Sequence, residues 1–222
     1  MSGPVLATEG LSKGFISGGQ RLPVLSGLTL GVLPGESLAV VGRSGSGKST
    51  LLNLLCGLQR ADEGVITVAG ESFDSSGNRG FATRWAELRR RSIGVVFQDA
   101  NLMPALSLVE NVRLRTHLAG LTGGDERDWL ERLGVGAEAD RYPDQVSGGQ
   151  AQRAALAMVF AMSPALILAD EPTGSLDRHT ADEVAECLFD MQANNGCALV
   201  LATHDRELAG RCDHLLDLSG TH

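Results

Sequence analysis

The chain has 222 residues, of which 43% are hydrophobic and 21% charged, and its formal net charge is −8. This length and composition fit an ordinary globular protein with a full hydrophobic core, as one large domain or two small ones. The negative charge gives no reason to expect nucleic acid, because a duplex would repel the chain overall. A local basic cluster is present, although such clusters are more often solvated faces; it consists of Arg84, Arg89, Arg90 and Arg91.

The cysteines and the N-terminal segment bear on the cellular compartment. Cys56, Cys187, Cys197 and Cys212 are scattered without a CxxC pair, which argues against a zinc site or a disulfide framework and suits a reducing cytosol. Residues 1–10 lack the basic and apolar regions of a signal peptide. No apolar stretch approaches the roughly 20 residues that span a bilayer. We therefore expect any action at a membrane to come from outside the bilayer.

Apolar and helical segments alternate along the chain. Residues 5–8, 23–33 and 64–69 predict strands near the N-terminus, which we expect to be antiparallel. Short apolar runs bounded by turn residues predict strands buried on both faces of a largely parallel sheet, at 37–41, 93–97, 165–169 and 197–202, with a last strand at 215–218. Helical patterns stand between them, at 48–58, 148–162 and 178–193. This alternation predicts an α/β layered fold.

Residues 100–147 depart from the alternation of strands and helices, because they contain two predicted helices, at 107–118 and 125–133. We interpret this segment as a mostly helical subdomain inserted into the α/β core. The expected organisation is one domain over residues 1–222. Its core comprises 1–99 and 164–222, and its helical subdomain comprises 100–163.

A phosphate-binding pattern, GxxxxGK[ST], stands between a predicted strand and a predicted helix. Glycines let the backbone curl so that several N–H groups converge on phosphate oxygens, and the helix N-terminus adds partial positive charge. Lys48 would neutralise the β- and γ-phosphates, and the Ser49 hydroxyl would be a Mg²⁺ ligand. The alternative is a Gly/Ser-rich turn before a helix. The predicted loop contains Gly42, Arg43, Ser44, Gly45, Ser46, Gly47, Lys48, Ser49 and Thr50.

Two acids end the apolar run at 165–169. Because open α/β sheets bind ligands at the carboxyl ends of their strands, Asp170 is expected beside the phosphate loop, where it can hold Mg²⁺ directly or through water. Glu171 could polarise the attacking water as a general base. A lone pair of acids is commonly a solvated strand end, and the upstream phosphate loop argues against that interpretation here.

Residues 146–150, Val-Ser-Gly-Gly-Gln, open an Ala-rich helix just upstream of the acids. By itself the segment could be a helix cap with Ser147 as the N-cap residue. It resembles the LSGGQ signature of ABC ATPases, and the rest of that family's pattern follows in order over essentially the whole chain. The resemblance implies a P-loop NTPase fold of the ABC-ATPase type. It also implies ATPase activity with ATP and Mg²⁺ as cofactors.

The resemblance assigns further roles residue by residue. Phe15 matches the aromatic position that stacks on adenine, although a lone Phe is more often part of a core. Gln98 matches the Q-loop glutamine that touches Mg²⁺ or water, and Asp177 matches the D-loop. His204 matches the switch histidine that contacts the γ-phosphate. In the family, the signature acts in trans on the ATP site of a second copy in a head-to-tail homodimer; here its residues are Ser147, Gly148, Gly149 and Gln150.

Three segments look like the MacB/LolD branch of the family, namely residues 97–112, 170–177 and 203–213. That branch implies a separate membrane permease of the MacB, LolC, LolE or FtsX kind, and export or release of lipoprotein or other envelope substrates. It also implies peripheral association with the cytoplasmic face of the inner membrane. The groove near Gln98, including Leu102, Met103 and Leu106, is the expected docking place for a cytoplasmic permease helix, unless those residues belong to the core.

Three departures from the branch pattern are visible. Val146 replaces Leu, Ser175 stands where the branch usually has Asn, and Met158 falls where many relatives carry Arg. None removes a catalytic group. An FtsE-like ATPase that signals to cell-wall hydrolases without transport remains an alternative. Soluble ABC proteins that act on DNA or ribosomes usually carry two cassettes or long coiled-coil inserts, and this sequence shows neither. Another P-loop enzyme would leave the signature, Gln98 and His204 unexplained.

Overall fold

The computed structural model describes residues 3–75, 80–122 and 124–220. Within these ranges, an antiparallel sheet of four strands has the order β2-β1-β4-β5. The strands are β1 (Leu6–Ser17), β2 (Gln20–Val32), β4 (Glu63–Val68) and β5 (Glu71–Asp74). The antiparallel pairing near the N-terminus agrees with the prediction, but β1 is much longer than 5–8. Register shifts between Thr8 and Gly14 break its alternation of buried and exposed residues.

The second sheet of the described chain has five parallel strands in the order β6-β7-β8-β3-β9. They are β3 (Ser37–Val41), β6 (Ile93–Val96), β7 (Leu166–Asp170), β8 (Ala198–Ala202) and β9 (His214–Asp217). Every residue of β8 is buried, as are the first four residues of β3 and β7. The predicted mainly parallel sheet, with strands buried on both faces, is therefore confirmed.

The helices are α1 (Lys48–Leu55), α2 (Phe81–Arg91), α3 (Leu108–Leu118), α4 (Glu126–Arg132), α5 (Gly148–Phe160), α6 (Arg178–Asn195) and α7 (Arg206–Ala209). Short 3₁₀ turns lie at Gly136–Glu138, Pro143–Gln145 and Leu218–Gly220. Sequence reasoning missed α2, α7 and β5. It also extended α1 to residue 58, whereas α1 ends at Leu55 and Gly57 takes a left-handed φ of 67°. No helix in the described parts of the chain has the length and hydrophobicity to cross a membrane.

The parallel sheet separates two hydrophobic clusters. Alternate residues of β7 show the division, since Ile167 and Ala169 join one cluster while Leu166 and Leu168 join the other. The first cluster is completed by α3 to α6, and the second by α1, α2 and the antiparallel sheet. The chain is thus a layered α/β fold with its sheet at the centre.

The arginines of the basic cluster lie on α2 and make contacts within the chain. Arg84 pairs with Glu71 at 3.0 Å, and both Arg90 and Arg91 pair with Glu87 at 2.7 Å. Arg89 donates to the carbonyl of Cys56 at 2.8 Å. These internal contacts satisfy charges that the sequence alone presents as a basic patch.

Trp85 of α2 is completely buried and stacks on Phe73 of β5, with ring centroids 4.1 Å apart. The indole also lies against Gly57 at the end of α1. A Cβ at Gly57 would fall 2.1 Å from the Trp85 Cδ2 atom. Only glycine tolerates both this contact and the left-handed backbone at position 57.

We predict that Gly57→Ala lowers the free energy of unfolding by about 2–4 kcal/mol, through overpacking and backbone strain together. Gly70→Ala is the matched control, because Gly70 also has a positive φ of 83° but open space where a Cβ would lie. In this variant, backbone strain alone should lower the free energy of unfolding, by about 1 kcal/mol. Urea denaturation of both variants is the measurement, and equal losses would contradict the account of the Trp85 contact.

Candidate functional site

The loop between β3 and α1 is shaped by glycine. Gly47 has a φ of 100°, and a Cβ on it would lie 2.6 Å from the Val24 Cγ1 atom. The first turn of α1 has no side-chain cap and no acidic residue. Its N–H groups, and the partial positive charge at the helix N-terminus, are therefore available to an anion. Lys48 folds back over this loop and donates from Nζ to the Gly42 carbonyl at 3.0 Å.

Asp170 ends β7. Burial raises the pKa of the Asp170 carboxyl, and its interaction with the Ser49 side chain opposes that shift. Its Oδ1 atom is buried and has no hydrogen-bond partner among the described residues. A hydroxyl beside a carboxylate with an unused oxygen fits the donor set that Mg²⁺ prefers.

The described residues contain no group of three or more His, Cys, Asp or Glu side chains that could hold a metal ion.

Glu171 follows directly and has a left-handed φ of 48°, which is uncommon for a non-glycine residue. Its N–H donates to the Ala202 carbonyl at 2.9 Å, so the end of β8 fixes the turn. Glu171 Oε2 lies 2.8 Å from His204 Nδ1, and Glu171 Oε1 lies 3.7 Å from Lys48 Nζ. The carboxylate therefore stands between the two predicted phosphate-contacting side chains.

His204 is placed by the end of β8. The Thr203 N–H donates to the Val40 carbonyl at 3.1 Å, which joins this end to β3. The His204 N–H donates to Glu171 Oε2 at 3.3 Å, whereas its side chain is 71% exposed. The ring can thus contact Glu171 and still face a ligand from solvent.

An open cleft of about 470 Å³ brings eight of the predicted site residues together. It is lined by Phe15, Val24, Ser44, Gly45, Gly47, Lys48, Ser49, Thr50 and Glu171. Phe15 is 41% exposed on β1, opposite Leu22 of β2. An aromatic face at one end and a glycine-rich loop at the other suit a ligand with a planar ring and phosphates. Gly42, Arg43 and Ser46 line neighbouring depressions around the same loop.

Asp62 anchors the strand segment that carries Phe15, a role that sequence reasoning missed. Its carboxylate accepts from Lys13 Nζ and the Gly14 N–H, both at 2.9 Å, and from Arg21 at 2.8 Å. The Lys13 hydrogen bond, with the Gly14 and Arg21 bonds, holds the pKa of Asp62 below its usual range. No local signal identifies Asp62, because its partners are some 40 to 50 residues away in sequence.

The signature segment lies outside this cleft, since none of its four predicted residues is among the described cleft-lining residues. Ser147 is the N-cap of α5 and forms a capping box with Gln150. The helix-cap interpretation is thus correct as local structure. Gly149 packs closely on α6, because a Cβ there would lie 2.1 Å from Thr180 Cγ2.

Two other predicted residues lie at the connections around the site. Gln98 is exposed after β6 and is absent from the described lining of the cleft. Its carbonyl accepts from the Ser175 hydroxyl at 3.2 Å, so Ser175 joins this loop to the segment before α6. Asp177 caps α6 by accepting from the Thr180 hydroxyl at 2.7 Å and from the Thr180 N–H, and these bonds lower the pKa of Asp177.

Comparison with known proteins gives this arrangement a family. Residues 25–174 match the family described as "ABC transporter". The ABC transporter ATP-binding protein YbbA of Escherichia coli is 40% identical over 218 residues, covering 96% of this chain and 94% of YbbA. The lipoprotein-releasing system ATP-binding protein LolD of Alcanivorax borkumensis is 40% identical over 221 residues, covering 98% and 95%. The chain belongs to the ABC transporter ATP-binding family.

Solved structures agree with this membership. The ATP-binding cassette MJ0796, described as dimeric in a post-hydrolysis state bound to ADP and Pi, is 31% identical with a TM-score of 0.83. That match covers 96% of this chain and 94% of the cassette. The predictions of an ABC-ATPase fold and of a LolD-like ATP-binding subunit with ATPase activity are thereby confirmed. The individual roles of the site residues in this ATPase remain predictions.

We predict that Gly149→Ala destabilises the ATPase by about 1–3 kcal/mol, because the new methyl group overpacks against Thr180. The double variant Gly149→Ala/Thr180→Ser should recover most of this loss. Serine removes the clashing Cγ2 atom and keeps the hydroxyl that bonds Asp177. Thermal unfolding of the two variants and of Thr180→Ser alone measures the coupling. Additive losses without recovery would contradict the assigned contact.

Proposed function

We propose that two copies of this ATPase close head to tail on MgATP, and that the cycle drives a separate membrane permease. The observation that carries the dimer is the position of the signature. Ser147 and Gly148 are exposed at the N-terminus of α5 and contribute nothing to the described lining of their own chain's cleft. A helix N-terminus suits an anion, so a second copy's γ-phosphate is the expected contact. The solved relative described as dimeric supports the formation of a dimer.

The proposed chemistry is phosphoryl transfer to water, in which the protein mainly positions groups and stabilises charge. Phe15 stacks on adenine, while Lys48 and the loop N–H groups bind the phosphates. Glu171 accepts the proton of the attacking water, and His204 orients that carboxylate through their 2.8 Å contact.

Ser49 and Asp170, with Gln98 directly or through water, are the residues that would hold Mg²⁺. The ion, when bound with the nucleotide, neutralises developing charge on the phosphates.

The contact between Lys48 and Glu171 gives ATP a way to release the base. Glu171 Oε1 lies 3.7 Å from Lys48 Nζ. Phosphate oxygens compete for Lys48, because they offer a stronger charge-assisted partner than a carboxylate at 3.7 Å. Binding of ATP therefore frees Glu171 for the water.

A permease-docking surface is proposed beside Gln98. Met103 is 51% exposed, Phe97 is 36% exposed, and Leu102 and Leu106 are half-buried. This partly apolar surface suits the apolar face of a cytoplasmic helix. The LolD relatives are ATP-binding proteins of a lipoprotein-releasing system, and they support release or export of an envelope substrate. We also propose that the protein associates peripherally with the inner membrane, and that residues 100–163 form its helical subdomain.

We predict that Glu171→Gln binds ATP, forms a more persistent dimer and loses roughly 10²–10⁴-fold in turnover, as loss of a general base should. Steady-state ATPase assays and sedimentation in MgATP measure the two effects. Turnover like that of the parent would remove Glu171 from the role of base.

We predict that Lys48→Ala binds ATP about 10- to 100-fold more weakly, because a charge-assisted bond to phosphate is lost. Titration with a fluorescent ATP analogue measures this change. Arg91→Ala is the control, since Arg91 pairs with Glu87 on α2, away from the cleft. Unchanged affinity in Lys48→Ala would contradict the phosphate-loop assignment.

The partner is tested by purifying tagged Glu171→Gln protein from membranes in MgATP and identifying co-purifying proteins by mass spectrometry. The Lys48→Ala protein is the control for binding that does not need ATP. A permease with a large extracytoplasmic domain and a transported substrate supports the proposal. An FtsX-like partner joined to cell-wall hydrolases favours the signalling alternative, and a partner-free dimer contradicts the permease proposal.

A further inference from the structure

Arginine side chains cap the C-terminal ends of three helices in succession. The last carbonyls of an α-helix lack partners within the helix and carry partial negative charge. Arg89 of α2 donates to the carbonyls of Cys56 and Gly57, just after α1, at 2.8 and 3.3 Å. Arg90, also of α2, donates to the Leu118 carbonyl at the end of α3 at 3.0 Å.

Arg115 of α3 completes this set by capping α2. Its guanidinium donates to the Arg89 carbonyl at 2.7 Å and to the Arg90 carbonyl at 3.1 Å. It also donates to the sulfur of Met162, a buried residue just after the signature helix α5. Arg115 is half-buried, and burial lowers the pKa of its guanidinium. Such a desolvated charge is stabilised only while these acceptors stay in place.

The helices joined by Arg115 belong to different packing units. Trp85 and Leu88 of α2 lie in the hydrophobic cluster that contains α1 and the antiparallel sheet. Val109 and Val112 of α3 lie in the other cluster, together with α5. Arg90 donates from α2 to the end of α3, and Arg115 donates from α3 to the end of α2. Because these bonds cross the boundary between the clusters in both directions, they constrain translation and rotation of α3 against α2.

We propose that Arg115 is a positioning residue that fixes the orientation of the helical segment α3–α5, and hence of the signature, relative to the phosphate-loop core. Only the expected effect of Arg115 on dimerisation rests on the proposed head-to-tail dimer. A signature that must reach a second copy's ATP needs a defined angle to its own core. The orientation itself is a property of the single chain and is testable there.

The variants are Arg115→Met, which keeps an apolar stem without donors, and Arg115→Lys, which keeps one charged donor group. Arg113→Met is the matched control. Arg113 lies on the same helix, its side chain is 61% exposed, and its ion pair with Glu126 at 3.9 Å stays within the helical segment. All variants are made in the full chain with Glu171→Gln, and thermal unfolding verifies that each is folded.

The first readout is the distance distribution between two spin labels in the nucleotide-free chain. One label replaces Ala137, exposed beyond α4, and the other replaces Glu63, exposed at the start of β4 in the antiparallel sheet. The partly buried thiols of Cys187 and Cys212 are changed to serine. We expect a broader or shifted distribution for Arg115→Met, a smaller change for Arg115→Lys, and none for Arg113→Met. An unchanged distribution in folded Arg115→Met overturns the inference, whatever happens on dimerisation.

The second readout separates ATP binding from closure. We expect Arg115→Met to keep its affinity for ATP within about twofold and to dimerise about tenfold more weakly, the effect of losing one charge-assisted bond. A general structural defect would weaken both. Equal dimerisation by the parent and Arg115→Met contradicts the inference. Failure of the parent to dimerise contradicts the proposed function instead and leaves the spin-label result to decide the role of Arg115.

Discussion

The register of β8 between β3 and β7 is the constraint on which the site depends. Ala202, the last residue of β8, pairs with Val40 on one side and with Asp170 on the other. Each of these strands then delivers a different chemical group at the same edge of the sheet. The phosphate loop follows β3 and Glu171 follows β7. Thr203 and His204 are the first two residues after β8. A register slip of one residue would turn these groups to the wrong face and separate them.

The side chains at that edge of the sheet differ in burial and in charge. Lys48 is held almost completely buried, whereas the His204 side chain is mostly exposed, and Glu171 contacts both. This edge of the sheet therefore combines a fixed cation with a residue that can still respond to solvent or ligand. The signature glycines serve a different purpose in the same chain. Gly149 permits α5 to lie against Thr180 of α6, which leaves the N-terminus of α5 exposed.

Local patterns predicted the central strands and the chemistry at their ends, because buried apolar runs and glycine-rich loops leave signatures within a few residues. The helix α2 was missed for the opposite reason. Only Trp85 and Leu88 of its 11 residues are buried, and no side-chain cap marks its start at Gly80. Asp62 and Arg115 could not be found from sequence either, since their partners come from distant segments. Weak local signals thus hid α2, and long-range polar contacts hid the roles of Asp62 and Arg115.

In the proposed dimer, each ATP site combines the phosphate loop of one copy with the signature of another. Mixing the Lys48→Ala chain with a Ser147→Arg chain tests this most directly, with ATP hydrolysis measured for each chain alone and for the mixture. In a head-to-tail dimer, the mixed pair contains one site with both Lys48 and Ser147 intact. We therefore expect two nearly inactive proteins to regain hydrolysis when combined. No recovery, although the mixed dimer forms, would contradict a site shared between two copies.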